Sequence, residues 1–270
     1  MRWLLKQWLH RFFEDKVFDL SAQLAYYFLV SIFPFVFLIF TILGYLPIST
    51  SYVLTLFQSI APEEAYKLLE YNLITVLDEQ RGDVLSVSFV VMIWLASIGI
   101  HAIIRVFNQA YQVEESRPFF KELILGIFLT FGLVSASITA LLLPVFGRTI
   151  GMYVFEKSGF SNPIWQIWET ARYVIGFSVL LSIFSALYMF APNVNLSFKN
   201  VWPGAIFSTI GWHVISYLFS SYVLIFDYSQ IYGNLGALLT LMVWFYLSAM
   251  ILIAGGQLNA ILALKKQLIK

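Results

Sequence analysis

The fold class predicted by this sequence is an all-α, polytopic membrane helix bundle. It has six transmembrane helices, an N-terminal interfacial amphipathic helix and an outer amphipathic helical segment. Three observations point there. First, six stretches contain no Asp, Glu, Lys or Arg: Leu20–Pro62, Val84–Ile104, Leu123–Gly147, Tyr173–Phe198, Asn200–Phe226 and Tyr228–Leu264. Each can supply the roughly 20 mostly apolar residues that carry a helix across hydrocarbon, where an open backbone finds no water to bond. Second, the 270 residues are 60% hydrophobic and 11% charged, with mean hydropathy +0.82, against about 25% charged in a soluble domain. Third, the basic residues between the stretches alternate in density from one connection to the next.

In chain order, residues 1–20 read as the interfacial helix. Trp3, Leu4, Leu5, Trp8, Leu9, Phe12 and Phe13 recur at helical spacing with Arg2, Lys6, Arg11 and Lys16 between them. Such a helix lies with its aromatic side toward acyl chains and its basic side toward headgroups. A soluble amphipathic helix docked on the protein's own loops carries the same moment. The spans follow at about 22–46, 84–107, 122–147, 172–191, 202–226 and 234–262, in one membrane domain covering 1–270. Pro34 interrupts the first span and removes a backbone bond there, which predicts a kink. Segment 47–83 is the largest connection. Pro62 with Glu63 and Glu64 makes a helix start, and Tyr66, Leu69, Leu73, Val76 and Leu77 form one apolar face. Pro192-Asn193 ends the fourth span, and Trp202-Pro203-Gly204 is expected to open the fifth with proline in its first turn. The first span is too long for the apolar region of a cleaved signal, about 7–15 residues, so it is expected to be retained.

Charge sets the orientation. Arg2, Lys6, Arg11, Lys16, Arg105, Arg117, Lys121, Lys199, Lys265, Lys266 and Lys270 fall on one side; Lys67, Arg81, Arg148, Lys157 and Arg172 fall on the other. Basic connections stay in the cytoplasm, which places both termini inside. Glu63, Glu64, Glu70, Asp78, Glu79, Asp83, Glu156, Glu169 and Asp227 then lie outside.

Several function classes are set aside. A net charge of +1 gives no concentrated basic face for nucleic acid. With no cysteine there is no disulfide, thiolate metal site or thiol nucleophile. No cofactor or metal is expected; membrane lipids are the expected partners, and homo-oligomers are left open.

Polar residues inside spans are costly and usually face a bundle interior or a wet cavity. The first span carries Gln23, Tyr27 and Ser31, and the second Ser97, His101, Arg105 and Asn108. The fourth carries Ser178, Ser182 and Ser185; the fifth Thr209, His213, Tyr217 and Ser221; the sixth Gln257 and Asn259. The orientation puts most of them toward the cytoplasmic half, which predicts a polar cavity between helices with His101, Arg105 and His213 near its wall. The plainer readings are that serine and threonine bond their own helix, that Arg105 snorkels to phosphate, and that each histidine donates between helices. Two histidines with no carboxylate expected near them make a poor metal site and an incomplete proton relay. Small residues at Gly132, Ala136 and Ala140, and at Gly256 and Ala260, mark close helix packing. Pro34, Pro192, Pro203, Gly204, Gly233 and Gly236 are the candidate breaks or hinges.

Leu24-Ala25-Tyr26-Tyr27 followed by Ser31-Ile32-Phe33-Pro34 resembles the first-span signature of the YihY/virulence factor BrkB family of bacterial inner-membrane proteins. Asn108-x-x-Tyr111, Pro192-Asn193, Trp202-Pro203-Gly204-Ala205, the run 232–237, the run 244–248 and Gly255-Gly256-Gln257-Leu258-Asn259-Ala260 are similar to it in order and spacing. The resemblance covers Asp19 to Ala263. It implies six spans in a bacterial inner membrane and a function near serum resistance, export or lipid-related transport. An older ribonuclease label also travels with the family, and no acidic cluster or basic groove in this sequence supports it. The family more often carries Glu where Gln257 stands, so this chain lacks one intramembrane charge that proton coupling could use.

The expected function is a transporter or permease that moves a small solute or lipid-like amphiphile through the polar cavity. The alternative is a non-transporting structural or scaffold protein of the envelope. An intramembrane enzyme ranks third, because the sequence holds no HExxH, GxSxG or paired aspartates in a span.

Overall fold

A computed structural model describes residues 2–44, 82–118, 120–132, 162–225, 233 and 235–265. Those residues form seven helices and, among the described residues, no strand. They are α1 (Arg2–Glu14), α2 (Val17–Gly44), α3 (Gly82–Tyr111), α4 (120–132), α5 (Asn162–Phe190), α6 (Phe198–Ile225) and α7 (Leu235–Lys265). The expected outer helix beginning at Pro62, the rest of the third span with Ala136 and Ala140, and residues 266–270 lie outside the described residues. Two described stretches, Thr170–Phe190 and Leu238–Lys265, are long and apolar enough to cross a membrane.

Local chemistry explains the boundaries. α1 stops at Asp15 and Lys16; Lys16 takes a left-handed φ of 52° and its N–H bonds the Phe13 carbonyl at 3.1 Å. Gln112, with φ 58°, ends α3 in the same way. Its N–H reaches Gln109 O, and the Val113 N–H reaches Asn108 O, both at 3.0 Å. That pair of bonds is the Schellman closure, which satisfies carbonyls left open by the last turn. α2 continues as helix through position 34, so Pro34 does not end it.

One expectation is corrected. α6 begins at Phe198, four residues before Trp202, and Pro203 therefore falls inside the helix rather than in its first turn. Ser197 sets the start: its Oγ donates to Asn200 Oδ1, and the Asn200 N–H returns to the Ser197 carbonyl at 2.9 Å. This is a capping pair spaced like a capping box.

The chain divides into two compact units. Unit 1 is Met1–Ser21, Ile100–Ser216 and Ser248–Lys270; unit 2 is Ala22–Gly99 and Tyr217–Leu247. In unit 1 the buried side chains include Ile103, Ile104, Phe107, Tyr111, Leu187, Tyr188, Val201, Leu252 and Ile253. Gly204 and Gly255 let α6 and α7 touch backbone to backbone: a Cβ on Gly204 would strike the Gly255 carbonyl oxygen. Gly256 lies against Phe107, so the predicted Gly256–Ala260 packing face is used within this unit. In unit 2 the rings of Phe28 and Phe245 meet edge-on at 5.8 Å. Val87, Val90, Trp94, Tyr217 and Leu218 remain exposed there, a surface that suits lipid rather than water.

Candidate functional site

Three polar assemblies stand out, all within unit 1. The first joins α3 to α4. His101 Nδ1 lies 2.7 Å from Glu122 Oε1, with the two side chains 25% and 24% exposed. A carboxylate oxygen only accepts, so Nδ1 carries the hydrogen and donates it. Gly126, one turn beyond Glu122 and buried, faces the other edge of the ring: a Cβ there would sit in ordinary contact, 3.8 Å from Nε2. This corrects the expectation that neither histidine has a carboxylate nearby. Glu122 was missed because it stands at the edge of a span, where an acid reads as connection charge. Arg105 follows one turn along α3, exposed and without a hydrogen bond or ion pair among the described residues.

The second assembly locks two connections together. Asn108, buried near the end of α3, donates through Nδ2 to Glu115 Oε2 at 2.8 Å and accepts the Asn193 N–H at 2.6 Å. Asn193 Nδ2 donates to the Glu114 carbonyl and to Ser116 Oγ. Arg117 donates to the carbonyls of Ala191 and Pro192, capping the end of α5. Pro192, a predicted hinge, is thus buried and tied down. Asn108 and Asn193, far apart in sequence, turn out to be bonded partners.

The third assembly docks α1 onto α3 and α7. Trp8 Nε1 donates to the Ala254 carbonyl at 3.0 Å, and its ring meets Phe207 edge-on at 5.6 Å. Arg11 donates to the Ala110 carbonyl at 3.0 Å. Gln257, 1% exposed, donates through Nε2 to Asp15 Oδ2 at 2.8 Å, while its Oε1 is buried without a partner among the described residues. Gln257 is thus paired with a carboxyl group, that of Asp15, which its place in the sequence did not single out. Burial holds Asp15 above the ordinary carboxylate range and Glu14 adds to that, while the Gln257 amide and Arg11 pull it down.

A carboxyl raised by folding binds its proton in the folded chain at a pH where the unfolded chain has released it. Stability from this group is thus fully present below the ordinary carboxylate range and is lost as pH rises through the raised value. The melting temperature of the purified protein in detergent is expected to fall as pH rises through that window. Asp15→Asn, which still offers Gln257 an acceptor, is expected to flatten this slope. An unaltered slope would assign it to another group.

The remaining predicted residues divide by surroundings. Asn259 and Thr209 are fully buried. Asn259 bonds the backbone at Gly204 and Val201, and Thr209 Oγ1 donates to the Ala205 carbonyl of its own helix. His213 is exposed; its Nδ1 donates to the Thr209 carbonyl at 2.8 Å, and its ring lies 5.8 Å from that of Phe177. In unit 2, Gln23 donates to the Tyr27 hydroxyl at 3.3 Å and Ser31 to the Tyr27 carbonyl at 2.7 Å. Tyr217 is 73% exposed. Gly233, with φ 55°, and Gly236 close the turn that opens α7. Among the described residues, no three His, Asp or Glu side chains gather where they could hold a metal ion.

Apolar helices with exposed apolar faces and a few buried polar locks define an α-helical membrane protein. The chain matches the family described as Virulence factor BrkB over residues 8–268, and it belongs to that family. It is 43% identical over 265 residues to a protein of Bacillus subtilis (strain 168) named as ribonuclease-like, YfkH, taking in 98% of this chain and 96% of that one. UPF0761 membrane proteins of Xanthomonas oryzae pv. oryzae (strain PXO99A) and Xanthomonas campestris pv. campestris (strain B100) are each 25% identical to it. Those alignments take in 94% and 92% of this chain but 59% and 58% of the Xanthomonas proteins, so the chain spans about three-fifths of their length. No solved structure matches it.

Proposed function

We propose that this protein crosses a bacterial inner membrane six times with both termini in the cytoplasm, and that it is a transporter or permease for a small solute or lipid-like amphiphile. The observation that carries the reading is the His101–Glu122 pair, partly exposed on apolar helices, with Arg105, exposed and unpaired among the described residues, one turn away. Ionisable groups at membrane depth are expensive, and their presence there points to a path or binding site. Gln257 and Asp15 add a second polar pair toward the same predicted side. The basic asymmetry of the connections supports the orientation.

The test uses full-length protein in phosphatidylethanolamine–phosphatidylglycerol liposomes carrying a trace of acyl-labelled fluorescent phospholipid. Bleaching by external dithionite is expected to extend beyond the outer leaflet with wild type, and to slow in His101→Ala and Arg105→Ala. Bleaching no greater than in protein-free liposomes would overturn the lipid-like cargo. Equal bleaching in both variants would remove the two residues from the mechanism.

A specific observation favours the scaffold reading for part of the molecule. Tyr188, Ser208, Thr209 and Asn259 are buried and bonded to one another or to backbone, a packed and dry arrangement. One stable cross-linked partner in cells, with no lipid movement in liposomes, would support that reading instead.

A further inference from the structure

Apart from Arg172, buried over the Tyr173 ring, eight lysines and arginines described in unit 1 fall into two sets. Arg11, Arg117 and Lys265 are engaged within the protein: Arg11 on the Ala110 carbonyl, Arg117 on the end of α5, and Lys265 over the Trp3 ring at 4.8 Å. Lys6, Lys16, Arg105, Lys121 and Lys199 are exposed and have no hydrogen bond or ion pair from their side chains among the described residues.

All five stand at the same end of the unit. The Arg11 bond brings α1 to the last turn of α3, and the His101–Glu122 bond brings the first turn of α4 to α3. Val194 and Leu196, leading into α6, pack against Ala110 and Tyr111. Arg105 lies between the two anchoring points on α3, six residues before its end, or about 9 Å along the axis. Acids do not neutralise the set. Glu122 is taken by His101, Glu115 by Asn108 and Arg117, and Glu14 by His10; Asp19 and Glu114 are the exposed acids left beside them. α1 also keeps Leu5, Leu9 and Phe13 exposed at spacings of four, an apolar stripe on the helix that carries Lys6 and leads to Lys16.

We infer that this end of unit 1 is a docking surface for the phosphate of an anionic phospholipid, with Arg105 and Lys121 as its ligands and the α1 stripe against the acyl chains. Exposed cations together with an exposed apolar stripe match the two halves of such a lipid. A guanidinium presents a planar fork that fits two phosphate oxygens, and among the described residues Arg105 makes no hydrogen bond or ion pair that occupies it. The inference rests on reading α3 as a spanning helix and names the ligand class of the site beside His101.

The full-length protein, purified in detergent, is mixed with equal amounts of phosphatidylglycerol and phosphatidylcholine of the same chain length, and retained lipid is read by native mass spectrometry. Wild type is expected to retain phosphatidylglycerol preferentially. Arg105→Gln should lower that preference about fivefold, the effect of one surface charge, and Arg105→Lys should fall between, keeping charge without the fork. Circular dichroism checks that the variants stay helical, and Arg105→Lys carries the test if Arg105→Gln does not fold. No preference in wild type, or one unchanged in Arg105→Gln, overturns the inference. Displacement of phosphatidylglycerol by inorganic phosphate at equal concentration also overturns it, by reassigning the surface to free phosphate. A single cysteine at Trp94, in a chain otherwise without cysteine, separates the two failures. If an impermeant maleimide labels it in liposomes, the spanning reading fails. If it stays protected while no lipid preference appears, only the lipid inference fails.

Discussion

Gly204→Ala is expected to deprive the protein of most of its folded population. A Cβ at this position would run into the Gly255 carbonyl oxygen and into the amide of Asn259. The carbonyl belongs to the backbone of α7, so no rotamer change can clear it; the two helices would have to separate. Separation would weaken what sits beside the crossing: the Asn259 bonds to Gly204 and Val201, and the Ser208–Tyr188–Leu252 chain, whose contacts at the Tyr188 hydroxyl are 2.6 and 2.7 Å. Overpacking alone costs about 1–3 kcal/mol, and each buried polar bond lost in a membrane interior adds about 0.6–2 kcal/mol. Together these approach the lower end of a typical folding free energy of about 5–15 kcal/mol. Gly132→Ala is the control, since a Cβ there meets no atom of the described residues within 4 Å. It should leave stability unchanged or slightly raised, as alanine favours helix. Melting of the detergent-purified proteins, followed by size-exclusion yield, separates the two. A Gly204→Ala melting point equal to wild type would mean that the helices do not meet there.

The crossing also shows where one-dimensional reading stops. Charge-free runs locate apolar helices because lipid imposes the same requirement on every residue of a span. The described helices α2, α3, α5, α6 and α7 overlap the predicted spans. Helix ends were legible where the capping chemistry is local. Ser197 with Asn200 three residues later is such a signal, and giving weight to Trp202-Pro203-Gly204 instead placed the α6 start too late. Partners across space leave no such trace. Gly256 and Ala260 were recognisable as small residues four apart, yet Gly255 makes the tightest approach, and nothing in its spacing names Gly204 as the residue opposite. The same limit applies to the polar residues. His101 and Gln257 were visible as polar groups on apolar helices. Their carboxylate partners leave no such mark: Glu122 is the first residue of the predicted third span, and Asp15 falls in the segment read as the interfacial helix.

Asn259→Leu should destabilise the protein through the backbone of another helix. Proline at position 203 has no N–H and its ring crowds the carbonyl four residues earlier, so α6 is loosened where Gly204 follows. Asn259, fully buried, bridges that turn: Oδ1 accepts the Gly204 N–H at 2.7 Å, and Nδ2 donates to the Val201 carbonyl at 2.8 Å. Leucine is close to asparagine in size but leaves both backbone groups facing a side chain that cannot bond them. An orphaned buried group costs about 1–3 kcal/mol, while bonds inside membranes fall toward the low end because the unfolded chain also finds partners. A loss of about 2 kcal/mol is the expected result, read as a lower melting temperature. Thr209→Val provides the contrast. Thr209 is equally buried, but its hydroxyl bonds only the Ala205 carbonyl of its own helix, so the variant should lose less than about 1 kcal/mol. Equal losses in the two variants would show that burial alone, and not the bridge across Pro203, sets the cost. A much larger loss for Asn259→Leu would mean that the break at Pro203 and Gly204 is pinned from α7, and that any bending of α6 at this point has to release Asn259 first.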